Sequence, residues 1–311
     1  MKVLVIGASG FIGLPTARAL SRAGHEVFGL TRSQAKGNQL LADEITPVIG
    51  EPEKPEDWVQ IVSTLDVVIE CIGGTANISV LGASLLQAVS SAAKAFRPVG
   101  APKLSYIYTS GTWVHGDNKT DIVIDTTPIT NPVQLVAWRP AHEQRVVTDS
   151  IVNGIVVRPA LLYGGSASLL APLYKAASEG RVRWFGRPGG RYAVIHFDDL
   201  ADLYVRVAEK AQLVGGLIFD AATSQSESTD DFLQKLVEIS GAKGPYEYVE
   251  PSTLYESAIS ASSIVRPHLA RDLLGWQPRK AGLVDGLQTW YRAWQASAGT
   301  TATGHWSDHV Q

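Results

Sequence analysis

The chain of 311 residues is 45% hydrophobic and 18% charged, with a formal net charge of −3. That is enough apolar side chain for a full core in one large or two interlocked domains. Lys and Arg are not in excess and no segment concentrates them, so nothing here would neutralise a phosphate backbone, and nucleic acid is not an expected partner. The single cysteine, Cys71, cannot close an internal disulfide, which suits a reducing, cytoplasmic setting.

In chain order, Lys2 to Ile6 reads as a first strand, with no room before Gly7 for a secretory leader. A helix is predicted from Ile12 to Ala23, ended by Gly24, and a second strand from Glu26 to Leu30. Further strands are predicted at Ile45 to Ile49, Asp66 to Ile72, Leu104 to Thr109 and Gly154 to Arg158. The uncharged stretch from Cys71 to Ala93 is long enough for a membrane span. Its Gly73, Gly74, Thr75, Asn77, Ser79, Ser84 and Gln87 make it a loop and then a buried helix instead, so no membrane is expected. A helix from Ile195 to Ala208 and a strand from Gly216 to Phe219 complete the series. Alternation of this kind specifies an α/β fold of Rossmann type, a doubly wound parallel sheet with right-handed crossovers. A smaller discontinuous C-terminal lid is added: residues 1–163 and 194–222 form the dinucleotide-binding domain, 164–193 and 223–298 the cap, and 299–311 a mobile tail.

Gly7-Ala8-Ser9-Gly10-Phe11-Ile12-Gly13 lies where the first strand turns into its helix. Such a turn needs positive φ, close approach of backbone to a pyrophosphate and tight helix packing, and the helix start offers free N–H groups to the anion. The tip of the second strand, Thr31-Arg32-Ser33, has no acidic residue to hold ribose hydroxyls. It offers instead a guanidinium fork and two hydroxyls to a 2′-phosphate, so NADP(H) is preferred over NAD(H).

With these residues stand four more segments: Thr109 to Gly116, Arg158 to Gly164, Ile195 to Ala201 and Leu274 to Pro278. Together they resemble the extended short-chain dehydrogenase/reductases, the NAD(P)-dependent epimerase/dehydratase group, up to about Trp294. The resemblance implies cofactor contacts from Gly7, Ser9, Gly10, Phe11, Ile12, Gly13, Thr31, Arg32, Ser33, Gly73, Thr109, Arg139 and Pro159. It also implies a Ser or Thr followed by Tyr-x-x-x-Lys, in which a phenol beside a cation acts as acid or base. This chain departs at all three places. The Ser/Thr position falls on Gly111, with Ser110 next to it. Matching by appearance puts Trp138 and His142 in the Tyr and Lys places; matching Glu143 and Gly154 as anchors, the favoured register, puts Leu135 and Arg139 there. Pro140 starts a helix near Trp138 and Arg139 and sets Arg139 at the cofactor edge, unless it pairs with Glu143 on the helix surface. A guanidinium keeps its proton, so Arg139 can bind a ribose but not relay.

Replacement acids are sought by motif position in Tyr163 and in His115, a residue type that titrates near neutrality. The catalytic candidates are therefore Tyr163, His115, Ser110 and Arg139, and Trp113, Tyr163, Trp184 and Tyr192 are expected to shape an apolar pocket for a small-molecule substrate. His305 and His309 have no third ligand nearby, so no metal site is expected. Three activities follow in order: an atypical NADP(H) oxidoreductase on a small apolar or aromatic carbonyl or alcohol, a cofactor-assisted isomerase, epimerase or cyclase without net redox, and a non-enzymatic sensor of the NADP(H) redox state. The sequence does not set the oligomeric state.

Overall fold

A computed structural model describes residues 1–75, 77–166 and 169–298. The predicted tail, with His305 and His309, lies outside the described residues. Seven parallel strands form the main sheet: β1 (Lys2–Ile6), β2 (Glu26–Thr31), β3 (Thr46–Ile49), β4 (Val67–Glu70), β5 (Ser105–Thr109), β6 (Asn153–Pro159) and β7 (Ile218–Ala221). Their spatial order is β3-β2-β1-β4-β5-β6-β7, so the order reverses beside β1, and sheets of this kind bind ligands at the carboxyl ends of the strands beside such a reversal.

Helices cover both faces because successive strand side chains point to opposite sides. Val3, Val5, Ile69, Ile107 and Ile155 meet Ala17 and Leu20 of α1 (Gly13–Arg22) and Leu200, Leu203 and Tyr204 of the helix Phe197–Glu209. Leu4, Ile6, Val68, Tyr106, Tyr108 and Val156 meet Leu81, Leu85 and Val89 of the helix Ile78–Phe96. That helix is long and apolar enough to cross a membrane by length and composition, and only 44% of its most apolar window is buried, less than a buried helix implies.

The predicted start of a helix at Ile195 is corrected. Arg191–His196 is a strand that pairs in parallel with Leu161–Tyr163 and antiparallel with Ser226–Ser228, and the helix begins at Phe197. The run Tyr192 to Ile195 is apolar without interruption, so its period does not separate a buried strand from a helix; His196 makes the break by accepting the Asp198 amide on Nδ1 at 3.1 Å. A third core, away from the sheet, gathers Tyr163, Leu173, Tyr174, Trp184, Tyr192, Phe232 and Tyr291.

Candidate active site

The turn after β1 is built for close approach. Gly7 sits at φ +84°, and a Cβ there would stand 2.9 Å from the Cys71 carbonyl. A Cβ on Gly13 would run into the Gly7 carbonyl, and one on Gly10 would come within 3.1 Å of it. Ile12 caps α1 without a side-chain hydrogen bond, and the first turn holds no acidic residue. The amides of Phe11 and Ile12 have no acceptor among the described residues, which leaves the helix start able to receive an anion. The Phe11 ring turns away and packs on Phe197 at 5.7 Å, so only its backbone is offered. Across the turn, Thr31 Oγ1 donates to Ser9 Oγ at 3.4 Å. Ser33 caps the helix Gln34–Ala42 by accepting the Lys36 amide, while Arg32 is exposed with no hydrogen bond or ion pair among the described residues. Gly73, past the end of β4, has open space where a Cβ would lie.

At the end of β5 the picture changes. Thr109 Oγ1 donates to the Glu70 carbonyl and lies 2.6 Å from the Tyr204 hydroxyl, so its side chain is committed to the sheet. Ser110 Oγ is buried with no partner. Gly111 is extended, and the nearest atom to a Cβ there is the Pro159 carbonyl at 3.7 Å; the missing hydroxyl is therefore not forced out by crowding. Leu135 sits on a one-turn 3₁₀ helix, Gln134–Val136, ahead of the helix Arg139–Val147, which Pro140 opens. Arg139 NH1 donates to the Tyr108 hydroxyl at 2.7 Å and to the Thr109 carbonyl at 3.1 Å, and its guanidinium lies 4.8 Å from the centre of the Trp138 ring. The guanidinium is thus drawn onto the tip of β5. The surface pair with Glu143 does not form, because Glu143 takes both its bonds from Arg158, at 3.0 and 2.6 Å.

Several expected site residues are corrected. The His115 side chain is 1% exposed and bonds Asp220 at 2.8 Å, inside a buried group that continues through Arg158 to Glu143; no substrate reaches it there. Tyr163 is fully buried and donates to the Ala281 carbonyl at 2.7 Å between His196 and Trp290, and burial, with Asp199 and Glu227 nearby, pushes its phenol far above neutrality. It is cap packing, neither acid nor pocket wall. Trp184 donates to the Tyr192 hydroxyl, which donates to the Ile259 carbonyl, and both rings lie in the third core rather than on a pocket. Trp113 is half-buried at the edge of that core.

Beside Arg139, sequence reasoning missed Glu70 and named His142 only in the register it did not favour. Glu70 is 2% exposed at the end of β4 and accepts from the Tyr106 hydroxyl. Burial lifts its carboxyl to about 7, against the pull of that bond and of Arg139. His142 stands edge-on to Tyr108 at 4.6 Å with neither ring nitrogen bonded, and burial, with Arg139 and Arg145 close by, brings it down to about 4. The available signal was a glutamate closing the apolar run Val67 to Ile69 and two tyrosines spaced by two in β5.

Known proteins fall in line with this geometry. A UDP-glucose 4-epimerase from Mycolicibacterium smegmatis is 26% identical over 318 residues, covering 92% of this chain and 96% of its own. A 4-hydroxy-2-methyl-3-oxo-4-farnesyl-3,4-dihydroquinoline-1-oxide ketoreductase from Stigmatella aurantiaca is 25% identical over 262 residues, with 78% and 74% covered. The structure of a human epimerase family protein with NADPH superposes with a TM-score of 0.72 at 16% identity, covering 94% of this chain and 99% of the other, and so shares its fold. Residues 3–221, well over half the chain, match the NAD dependent epimerase/dehydratase family, to which this protein belongs.

Proposed function

We propose that the protein is a cytoplasmic NADP(H)-dependent oxidoreductase that interconverts a small apolar or aromatic carbonyl compound and its alcohol. The observation that carries this is the pair of unbonded amides at Phe11 and Ile12, set in a glycine turn that side chains would obstruct, with Arg32 unpaired at the tip of β2. The free amides of Phe11 and Ile12 would receive the pyrophosphate, with Gly7, Gly10 and Gly13 keeping side chains out of the turn and Ser9 beside it. Arg32, Thr31 and Ser33 would bind the 2′-phosphate. Arg139 would hold the nicotinamide ribose at the tip of β5, with Gly73, the Thr109 backbone and Pro159 beside the ring. A nicotinamide bound there supplies or takes up a hydride; the chain orients it and excludes water. The cap, 164–193 and 223–298, would close over the substrate, beside the half-buried Trp113. Support comes from the related ketoreductase and from the NADPH complex of the fold neighbour.

Incubation of the purified chain with NADPH and a panel of aromatic ketones, diketones and enones is expected to consume the reduced-nicotinamide absorbance in proportion to alcohol formed. Tight NADPH binding with no consumption across the panel would sink the redox reading. A second reading is favoured by Leu135, an apolar residue in the phenol's place, and by the related epimerase: isomerisation with no net redox, which a product two electrons from its substrate would rule out.

A further inference from the structure

A carbonyl reduction consumes a proton as well as a hydride, and this chain has no phenol at residue 135 to provide it. The ten tyrosines separate by what their hydroxyls do. Tyr106 donates to Glu70, Tyr163 and Tyr192 to backbone carbonyls, Tyr246 and Tyr248 to Asp230, and Tyr204 shares a bond with Thr109. Tyr174 and Tyr291 are unbonded on the cap side, and Tyr255 is engaged there as well. Tyr108 accepts from a cation, Arg139, while its own proton has no acceptor among the described residues. This oxygen stands at the tip of β5, where the Arg139 guanidinium also bonds the Thr109 carbonyl.

We infer that Tyr108, reaching from β5 instead of from the helix, is the proton donor of the reaction, with Arg139 as its cationic neighbour. The inference rests on the oxidoreductase reading above. In the reducing direction, with the hydride supplied by reduced nicotinamide, the Tyr108 O–H bond breaks and the substrate's O–H bond forms. The electron pair stays on the phenolate oxygen, where the guanidinium already donates, and a proton from water restores the phenol between turnovers. Burial, with Glu70 and Glu143 nearby, holds the phenol up while Arg139 pulls it down, so it rests protonated at neutral pH. A developing alkoxide holds a proton more tightly still, so the transfer runs toward the substrate; what separates Tyr108 from Tyr163 is that its proton is not already bonded to a carbonyl. Tyr108 is 2% exposed and Arg139, which bonds it, is half-buried. Arg139 thus acts twice, on the ribose and on the phenolate.

Tyr108→Phe keeps the ring that packs on His142 and removes only the hydroxyl. With NADPH and the ketone that the native chain turns over best, kcat is expected to fall by about 10²–10⁴, with NADPH affinity within about threefold, a factor worth well under 1 kcal/mol. A kcat within that same narrow margin of native overturns the proposal and leaves the oxidoreductase reading standing. A measurement free of cofactor and turnover accompanies it: carbon-13 spectra of the apoprotein labelled at tyrosine Cζ, with the Tyr108 line identified by its loss in Tyr108→Phe. Arg139→Met is expected to move that line more than any other tyrosine line, because among the described tyrosines only Tyr108 is bonded to Arg139, and to raise the pH at which it titrates. An unmoved line overturns the proposal even if no ketone is turned over. Failure to bind NADPH with the line still moved strikes the oxidoreductase reading instead.

Discussion

Two groups of polar side chains lie at the carboxyl ends of one parallel sheet, the first on β6 and β7 and the second at β5, and they are finished differently. Glu143, Arg158, Asp220 and His115 face one another, each carboxylate meeting a nitrogen of opposite charge or a ring N–H, with side chains no more than 4% exposed, and His115 Nδ1, Arg158 Nη1 and Asp220 Oδ1 make no hydrogen bond besides. The Asp220 amide is in turn held by Asp125, which also accepts the amides of His268 and Leu269. A few residues away, Arg139, Tyr108, His142 and Ser110 are left with an uncommitted phenol proton, two bare ring nitrogens and a bare hydroxyl. A group in which each charge faces an opposite one fastens the frame, and a cation with no carboxylate bonded to it, beside an unshared phenol proton, is where a ligand can complete the bonding. The contrast explains why His115, attractive as a residue type, belongs to the frame.

The largest effect is expected from breaking the charge-paired group. Arg158→Met leaves Glu143 and Asp220 buried without their cation and should cost about 3–5 kcal/mol of stability in urea denaturation; a loss under about 1 kcal/mol would show that its charges are not paired.

The open group can be sharpened by pH. Glu70 is raised from 4.5 to about 7 in the folded chain, so the fold holds its proton more tightly than the unfolded chain does. The stability this contributes is complete below 4.5 and lost as pH rises through about 7. Glu70→Gln cannot titrate, so the stability of native relative to variant should fall across that window, by about 3 kcal/mol at most. His142 and His196, both brought down to about 4, favour the fold increasingly as pH rises, in both proteins alike, and so drop out of the difference. A flat difference curve would mean that Glu70 is not desolvated.

Gly10→Ala adds a methyl group 3.1 Å from the Gly7 carbonyl, inside the turn. Calorimetric titration is expected to show NADPH binding weakened by about tenfold or more, at least ~1.4 kcal/mol, and unchanged affinity would move the cradle elsewhere. The smallest effect is expected at the surface. Arg32→Ala should cut the preference for NADPH over NADH by about tenfold, the worth of one charge-assisted hydrogen bond in part solvent, with the melting temperature unmoved because Arg32 is exposed and makes no hydrogen bond or ion pair among the described residues.

The open features were legible unequally in the sequence. The glycine turn and the tip of β2 could be read because each is local, written in consecutive residues whose backbone demands are known. The sheet followed from alternation alone. The fates of Tyr163, Trp184 and Tyr192 could not be read: the bond of Tyr163 spans 118 residues to Ala281 and that of Tyr192 spans 67 to Ile259, so whether an aromatic lines a pocket or fills a core is settled by distant segments. Tyr108 and Glu70 fell between these cases. The alternation of β5 does place Tyr106 and Tyr108 on one face, but which helix residue meets them depends on the entry of the helix at Pro140.

Cys71 follows β4 beneath the glycine turn, its carbonyl crowding Gly7, its sulfur 3.8 Å from Thr109 Oγ1 and its thiol pushed up to about 12 by burial. A thiol kept so firmly in its neutral form is a poor nucleophile. Maleimides and iodoacetamide should leave the native chain untouched, which makes it a ready host for a spin label or fluorophore: one cysteine introduced on the exposed surface of the cap would take the probe alone and report, without background, whether that region moves when cofactor enters.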